Sequence, residues 1–269
     1  MPKIKAGMLT INYETFGEGE PLLLIMGFGM PGRAWLPRLP RFGGFKVIIY
    51  DNRGTGDSDK PDQPAYSIAE MADDASNLLR ALDIQRIRIC GFSMGGMIAQ
   101  ELTLRHPEQV IKAVFGCTTA GGESAQMENP GGGDPLRMAS FKLLATDPDK
   151  AYEELLPMLH PAELLELRPE LRRDMLDAIK TAPPTPEITY VRHWAAIMGF
   201  NAYDRLPQIR CPVLIVHGDR DIGTPIDNAY ILKRRIPHAE MLIVPGAGHG
   251  LESAQPNWVS DQVAAWLRG

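Results

Sequence analysis

Six short stretches constrain the fold more than any other feature of the chain. "PLLLIMG" (21–27), "KVIIYDNRG" (46–54), "IRICGFS" (87–93), "KAVFGCTT" (112–119), "CPVLIVHGD" (211–219) and "EMLIVPGAGH" (240–249) carry apolar residues at consecutive positions, not alternate ones. Successive side chains of a strand point to opposite faces, so an unbroken apolar run needs cover on both. Segments of helical period lie between these runs. "SIAEMADDASNLLRALD" opens with Ser67 and Glu70 at capping-box spacing, then places Ile68, Met71, Ala72, Ala75, Leu78, Leu79 and Leu82 on one stripe. "MGGMIAQELTLRHPE", "TPIDNAYILKRRIP" and "NWVSDQVAAWLRG" read as further helices, the second with Thr224 as N-cap and Pro225 at its first turn. Alternation of this kind predicts an α/β architecture: a mostly parallel, doubly wound sheet with helices on both faces. "MLTINYETFG" (8–17) alternates instead, and is expected to be antiparallel with one wet face.

The strand–helix alternation stops between about Gly121 and Leu206. That stretch holds the loop "ENPGGGDP" and then helical patterns near 135–145, 149–159, 162–180 and 186–199. The expected organisation is a sheet core over 1–120 and 207–269, with 121–206 inserted as a helical lid over one end of the sheet. A chain of 269 residues is ordinary for one α/β domain with such an insertion. A net charge of −5 and the lack of a long basic run speak against nucleic acid or an anionic membrane as partner. No apolar run reaches membrane-spanning length, and no secretory signal is expected from the first residues. Cys90, Cys117 and Cys211 are an odd number, and none sits at metal spacing with a histidine. Buried free thiols and a cytoplasmic location are therefore expected. Neither a metal constellation nor a dinucleotide fingerprint is visible, so no cofactor is expected.

In "CGFSMGG", Ser93 follows a strand directly and precedes a helix. That setting lifts a serine onto a sharp elbow. Residues two before and two after it approach so closely that a Cβ would clash, which accounts for Gly91 and Gly95. Gly96 lets the helix lie near its strand. A serine hydroxyl is a weak nucleophile until a histidine can take its proton and an acid orients that histidine. Both belong beyond later strand ends, which surround one crevice. "HGDRD" supplies Asp219 and Asp221 there, and "GAGHG" supplies His249. Asp219 leaves its strand at once and suits a structural turn. Asp221 reaches further over the sheet and is the better acid.

Nearly the whole chain resembles the α/β-hydrolase superfamily, through "GFSMGG", "HGDRD", "GAGHG", "DNRGTGDSD" and "LLLIMGFGM". The likeness is nearest to the branch of small esterases, enol-lactonases and cofactor-free haloperoxidases. It implies Ser93 as nucleophile, Asp221 as acid and His249 as base, acting on a small-molecule ester or lactone. It also implies an oxyanion hole built from the backbone N–H groups of Phe28 and Met94. The family's His-Gly pair before the first donor is Met26-Gly27 here, so Met26 is expected to hold that loop by packing. Serine at the elbow speaks against epoxide hydrolase and haloalkane dehalogenase, which need a carboxylate nucleophile.

Two rival readings share these residues. Hydrogen peroxide in place of water would make the chain a cofactor-free haloperoxidase or perhydrolase, and a non-enzymatic ligand receptor could use the same fold. Trp35, His193 and Trp194 are expected to line the substrate pocket. Asp51, Arg53 and Asp57 read as scaffold contacts, and His217 as a structural or supporting residue. His106, His160 and His238 are expected at the surface. Met138, Met158, Met175 and Met198 are expected in helix cores.

Overall fold

The unbroken apolar runs become strands with a separate core on each side. Leu22 and Leu24 join Val47, Ile49, Cys90, Val114 and Val216 on one face, while Leu23 and Ile25 join Ile48, Ile89, Phe115 and Ile215 on the other. The computed structural model describes residues 2–126, 135–171 and 184–269. Its strands are β1 (Lys3–Ala6), β2 (Leu9–Phe16), β3 (Glu20–Ile25), β4 (Phe45–Tyr50), β5 (Ile87–Phe92), β6 (Val110–Gly116), β7 (Val213–Gly218) and β8 (Glu240–Val244). They form one eight-stranded sheet in the order β1-β2-β4-β3-β5-β6-β7-β8. β2 pairs antiparallel with both β1 and β4, and every later neighbour is parallel. β5 therefore lies between β3 and β6, and the loops leaving these three strands emerge side by side.

Helices cover both faces of the sheet. α1 (Ile68–Ala81), α2 (Met94–Arg105) and, further along the chain, the helix Asp227–Arg235 supply one core. The 3-10 segment Gly32–Phe42 and the last helix, Trp258–Arg268, supply the other. α1 starts with both halves of its capping box made: Ser67 Oγ accepts from Glu70 N–H at 3.2 Å, and the Glu70 carboxylate accepts from Ser67 N–H at 2.9 Å. Between β6 and β7 come α3 (Pro135–Thr146), α4 (Pro148–Leu159), α5 (Ala162–Leu167) and α6 (Glu187–Met198). After these follow α7 (Asp227–Arg235), α8 (Leu251–Ala254) and α9 (Trp258–Arg268).

Several expectations are corrected by this arrangement. Lys3–Ala6, on which the sequence raises no expectation, is a strand closed onto β2 by a two-residue turn at Gly7, whose φ is 61°. The pattern at 162–180 does not form one helix: α5 ends at Leu167, because Arg168 precedes Pro169 and takes φ −134°, ψ 67°. Residues 172–183, including Met175, and most of the "ENPGGGDP" loop lie outside the described residues. Met198 is 37 % exposed and belongs to no helix core. Thr224 does not cap the helix that follows it. Its own N–H is held by Asp221 Oδ1 at 2.8 Å, and α7 begins only at Asp227.

The two-core reading of β3 is directly testable. Leu23→Ala and Leu24→Ala should each destabilise by about 2–5 kcal/mol in denaturant titration, because each empties a different packed layer. A near-neutral result for either would show that its face of the sheet is not core.

Candidate active site

The end of β5 turns into α2 within one residue. Ser93 occupies that turn at φ 58°, ψ −126°, a left-handed conformation that costs a non-glycine residue roughly 1–3 kcal/mol. Backbone hydrogen bonds hold it there: Ser93 N–H donates to Gly116 O at 2.8 Å, and Gly96 N–H donates to Ser93 O at 2.9 Å. A Cβ on Gly91 would collide with the Gly95 carbonyl, and one on Gly95 with the Ile25 carbonyl. One on Gly96 would lie 2.7 Å from Thr118 Cβ, at the exit of β6. The glycines thus let α2 sit against the ends of β3, β5 and β6 together. The Ser93 side chain is left half-buried at that junction.

The β7 and β8 loops bring Asp221 and His249 together. Asp221 Oδ2 is 2.7 Å from His249 Nδ1; the carboxylate is fully buried, while the imidazole side chain keeps 17 % exposure. Asp219 is separate. It is exposed, and its Oδ1 accepts from Gly246 N–H at 2.7 Å. Burial acts to lower the His249 pKa, but the charge and hydrogen bond of Asp221 outweigh it, and the net shift is upward from 6.5.

The loop after β3 passes beside the elbow. A Cβ on Gly27 would lie 3.2 Å from Ser93 Cβ. Met26 packs partly buried against the core that holds Leu22 and Leu24, and its carbonyl accepts from Asn52 Nδ2 at 2.9 Å. The Phe28 ring meets Tyr190 and Trp194 of α6 at centroid distances of 5.6 and 6.3 Å. Met94 is the first residue of α2, so its N–H has no carbonyl one turn back within the helix.

Two of the three expected pocket residues sit elsewhere than expected. Trp35 is 1 % exposed and lies in the core beneath the sheet, with its ring 5.4 Å from Phe92. His193 is fully buried, and both ring nitrogens are within hydrogen-bonding distance of backbone groups, Gly29 N and Arg53 O. Trp194 is half-buried beside Phe28. The "DNRGTGDSD" loop is scaffold: Asp51 accepts from Gly32 N–H, Asn12 Nδ2 and Asp57 N–H, and Arg53 pairs with buried Asp74 at 2.6 Å.

Two neighbours of the Asp221–His249 pair, Cys117 and His160, escaped the sequence reading; a third, His217, stands where a supporting residue would. The ligand atoms of Cys117, Asp221 and His249 all lie within 4.8 Å of one another. In the sequence no cysteine sits at metal spacing with a histidine, yet the fold brings Cys117 close to His249. Chain spacing hid a contact made only when β6 and β7 lie side by side, although the strand-end position of Cys117 was a usable signal. His217 Nε2 is 3.7 Å from Asp221 Oδ2 but makes its hydrogen bond to Thr224 O at 2.6 Å. Burial lowers its pKa, so it stands beside the carboxylate as a neutral ring. His160 is buried, not at the surface. Its Nδ1 is 2.7 Å from Ser253 Oγ and its ring covers Gly250, next to His249. Burial, and then the proximity of His249, push it down to about 4.

The sheet order and this cluster define an α/β hydrolase, and the family model described as "alpha/beta hydrolase fold" matches residues 20–251. The chain belongs to that family. It is 29% identical to a "Putative carbamate hydrolase RutD" of Caulobacter sp. (strain K31), covering 94% of this chain and 92% of that one. It is 30% identical to a "Putative non-heme chloroperoxidase" of Synechocystis sp., covering 98% and 97%. Among solved structures, a thermophilic esterase from Thermogutta terrifontis superimposes with a TM-score of 0.82 at 25% identity, covering 99% and 97% of the two chains.

The Asp221–His249 contact has a spectroscopic consequence. In wild type, His249 should titrate above 6.5 by NMR. In Asp221→Asn it should fall below 6.5, because burial then acts unopposed; Asp219→Asn should leave it in place. Since the folded pKa is raised, the pair stabilises the fold below about pH 6.5, and that contribution disappears as pH rises through the folded value. An unchanged His249 titration in Asp221→Asn would refute the pairing.

Proposed function

We propose that the protein is a serine hydrolase that cleaves a carboxylic ester or lactone through an acyl-enzyme. The observation that carries this reading is the buried Asp221 carboxylate, 2.7 Å from His249 Nδ1, in a chain whose half-buried Ser93 sits on the strained β5–α2 turn. With Nδ1–H donating to Asp221, His249 is left with Nε2 as a base. In the proposed cycle Nε2 takes the Ser93 proton as Oγ attacks the carbonyl carbon. The Phe28 and Met94 amides receive the oxyanion. Collapse expels the alkoxide, which His249 protonates, and the same nitrogen then activates water to hydrolyse the acyl-enzyme. The helices of 121–206 act in this reading as a lid, with Phe28 and Trp194 forming part of the substrate wall. A carbamate relative and an esterase neighbour fit the same chemistry, since both substrate types offer a carbonyl with a heteroatom leaving group.

The chloroperoxidase relative supports a second acceptor, hydrogen peroxide, attacking the same acyl-enzyme to give a peracid. Assaying peroxide- and bromide-dependent halogenation beside ester hydrolysis separates the two. Among the described residues no helix is long and apolar enough to cross a membrane.

Ser93→Ala should abolish hydrolysis across a panel of acyl, aryl and lactone substrates while leaving the melting temperature almost unchanged. A phosphonofluoridate should label Ser93 in wild type alone. Labelling at another serine, or retained turnover in the variant, overturns the reading.

A further inference from the structure

The proposed mechanism asks a great deal of the loop Met26–Met30, yet the Met26 side chain can brace it only by packing. Among the described residues, polar anchors reach it from Asn52, His193 and Thr185. On one side of Gly27, the Met26 carbonyl is held by Asn52 Nδ2 at 2.9 Å. On the other side, Gly29 N–H donates to His193 Nδ1 at 3.2 Å, and the Gly29 carbonyl accepts from Thr185 Oγ1 at 2.8 Å. The peptide that carries the Phe28 N–H thus lies between two anchored peptides.

His193 can serve both of its partners in one protonation state only. Gly29 N–H can only donate and the Arg53 carbonyl, 2.9 Å from Nε2, can only accept. The proton must therefore be on Nε2, with Nδ1 bare. Burial pushes this histidine down to about 4, so the ring is neutral at ordinary pH. Arg53 is itself fixed by two hydrogen bonds to Asp74 of α1, at 2.6 and 3.0 Å. A continuous chain of contacts runs from α1 through Arg53 and His193 to Gly29. Shape reinforces it: Gly29 has φ 64°, and a Cβ there would collide with the Tyr190 ring of α6. No other side chain could let the helix approach so near.

We propose that His193 is a positioning residue for the oxyanion hole: through Gly29 N–H it holds the Phe28 amide where the developing oxyanion forms. This rests on the ester-hydrolase reading. His193 touches no substrate; it acts through the acceptor lone pair of Nδ1. The inserted helices thereby do more than cover the site, since one of them sets the geometry of the reaction centre.

The test is p-nitrophenyl ester hydrolysis by His193→Leu, His193→Gln and Thr185→Val, beside wild type and Ser93→Ala. His193→Leu fills the site without an acceptor. It should lower kcat about 100-fold, the effect of misplacing a catalytic group by about 1 Å, with KM changed only a few-fold. Glutamine can accept at one end and donate at the other, and should restore most of kcat. Phenylboronate, which forms a tetrahedral adduct on an active serine, should bind more weakly to His193→Leu in proportion to the loss in kcat/KM. If His193→Leu does not fold, Thr185→Val, which removes only the bond to the Gly29 carbonyl, should show the same split at smaller size. A folded His193→Leu, or in its absence Thr185→Val, with wild-type kcat overturns the proposal. So does a glutamine variant no better than leucine. Turnover retained in Ser93→Ala would instead overturn the hydrolase reading itself, a result distinct from an inactive Ser93→Ala beside a fully active His193→Leu.

Discussion

The structure depends on one close approach, that of α2 to the ends of three strands at Ser93. A non-glycine residue at φ 58° is held only when its surroundings over-determine it. Here the Gly116 carbonyl fixes the Ser93 N–H, and the first turn of α2 fixes its carbonyl. Gly91 and Gly95 are required because any Cβ there would push the helix off the sheet. The same approach sets the site's other parts. It brings the β3 loop within van der Waals distance of the Ser93 side chain, and it aligns the β6 exit, where Thr118 packs on Gly96 and Cys117 reaches Asp221. A small relaxation of α2 would therefore misplace several groups at once. Cys117, at the exit of β6, shares the left-handed backbone with φ 44°, so two of the residues at this junction are strained.

Around this junction four buried or half-buried histidines are kept in different electrical states by their partners. His249 is hydrogen-bonded to the Asp221 carboxylate, and it alone of the four is raised. His160, His193 and His217 meet hydroxyl or backbone groups, and burial lowers all three. His217 is the instructive case, because Asp221 is only 3.7 Å away. Its proton is committed to the Thr224 carbonyl, and the desolvation cost of charging it exceeds the attraction. The positive charge that Asp221 favours is thus directed to a single ring. Separating titratable neighbours in this way is how an environment assigns the role of base.

What could be read from the sequence follows from how local the cause is. The strands were legible because double-sided burial writes itself as consecutive apolar residues, and the elbow because its clash demands glycine at fixed offsets. α1 was legible through its capping box. Lys3–Ala6 was not, since "KIKA" is too short and polar to show a period, and pairing with β2 makes it a strand. Thr224 looked like a cap because the sequence cannot show that Asp221 claims its N–H. Trp35 was expected to line the pocket, but packing against Phe92 makes it part of the core instead. His160 and His193 carry no local mark at all. Their partners are 93 and 164 residues away in sequence, and only the inserted helices bring them home.

That placement bears on how such a site can change its substrate. The inserted helices contact the β3 loop through Tyr190, His193 and Trp194, and the β8 loop through Leu159 and His160. Gly250 N–H donates to the Leu159 carbonyl at 2.9 Å, so the segment carrying His249 is tied to α4 as firmly as Gly29 is tied to α6. Substitutions on these inward faces would disturb the Phe28 ring and the Gly29 peptide together, because the same helix turn contacts both. Leu167, Ile188 and Met198, exposed on the outer surfaces of α5 and α6, carry no such coupling. Under the proposed hydrolase reading, changes in specificity that spare the rate would come from side chains that do not bear on Gly29 or Gly250. Trp194 is the residue most nearly in that position: its ring borders Phe28, while the anchoring of the loop falls to its neighbour in sequence, His193.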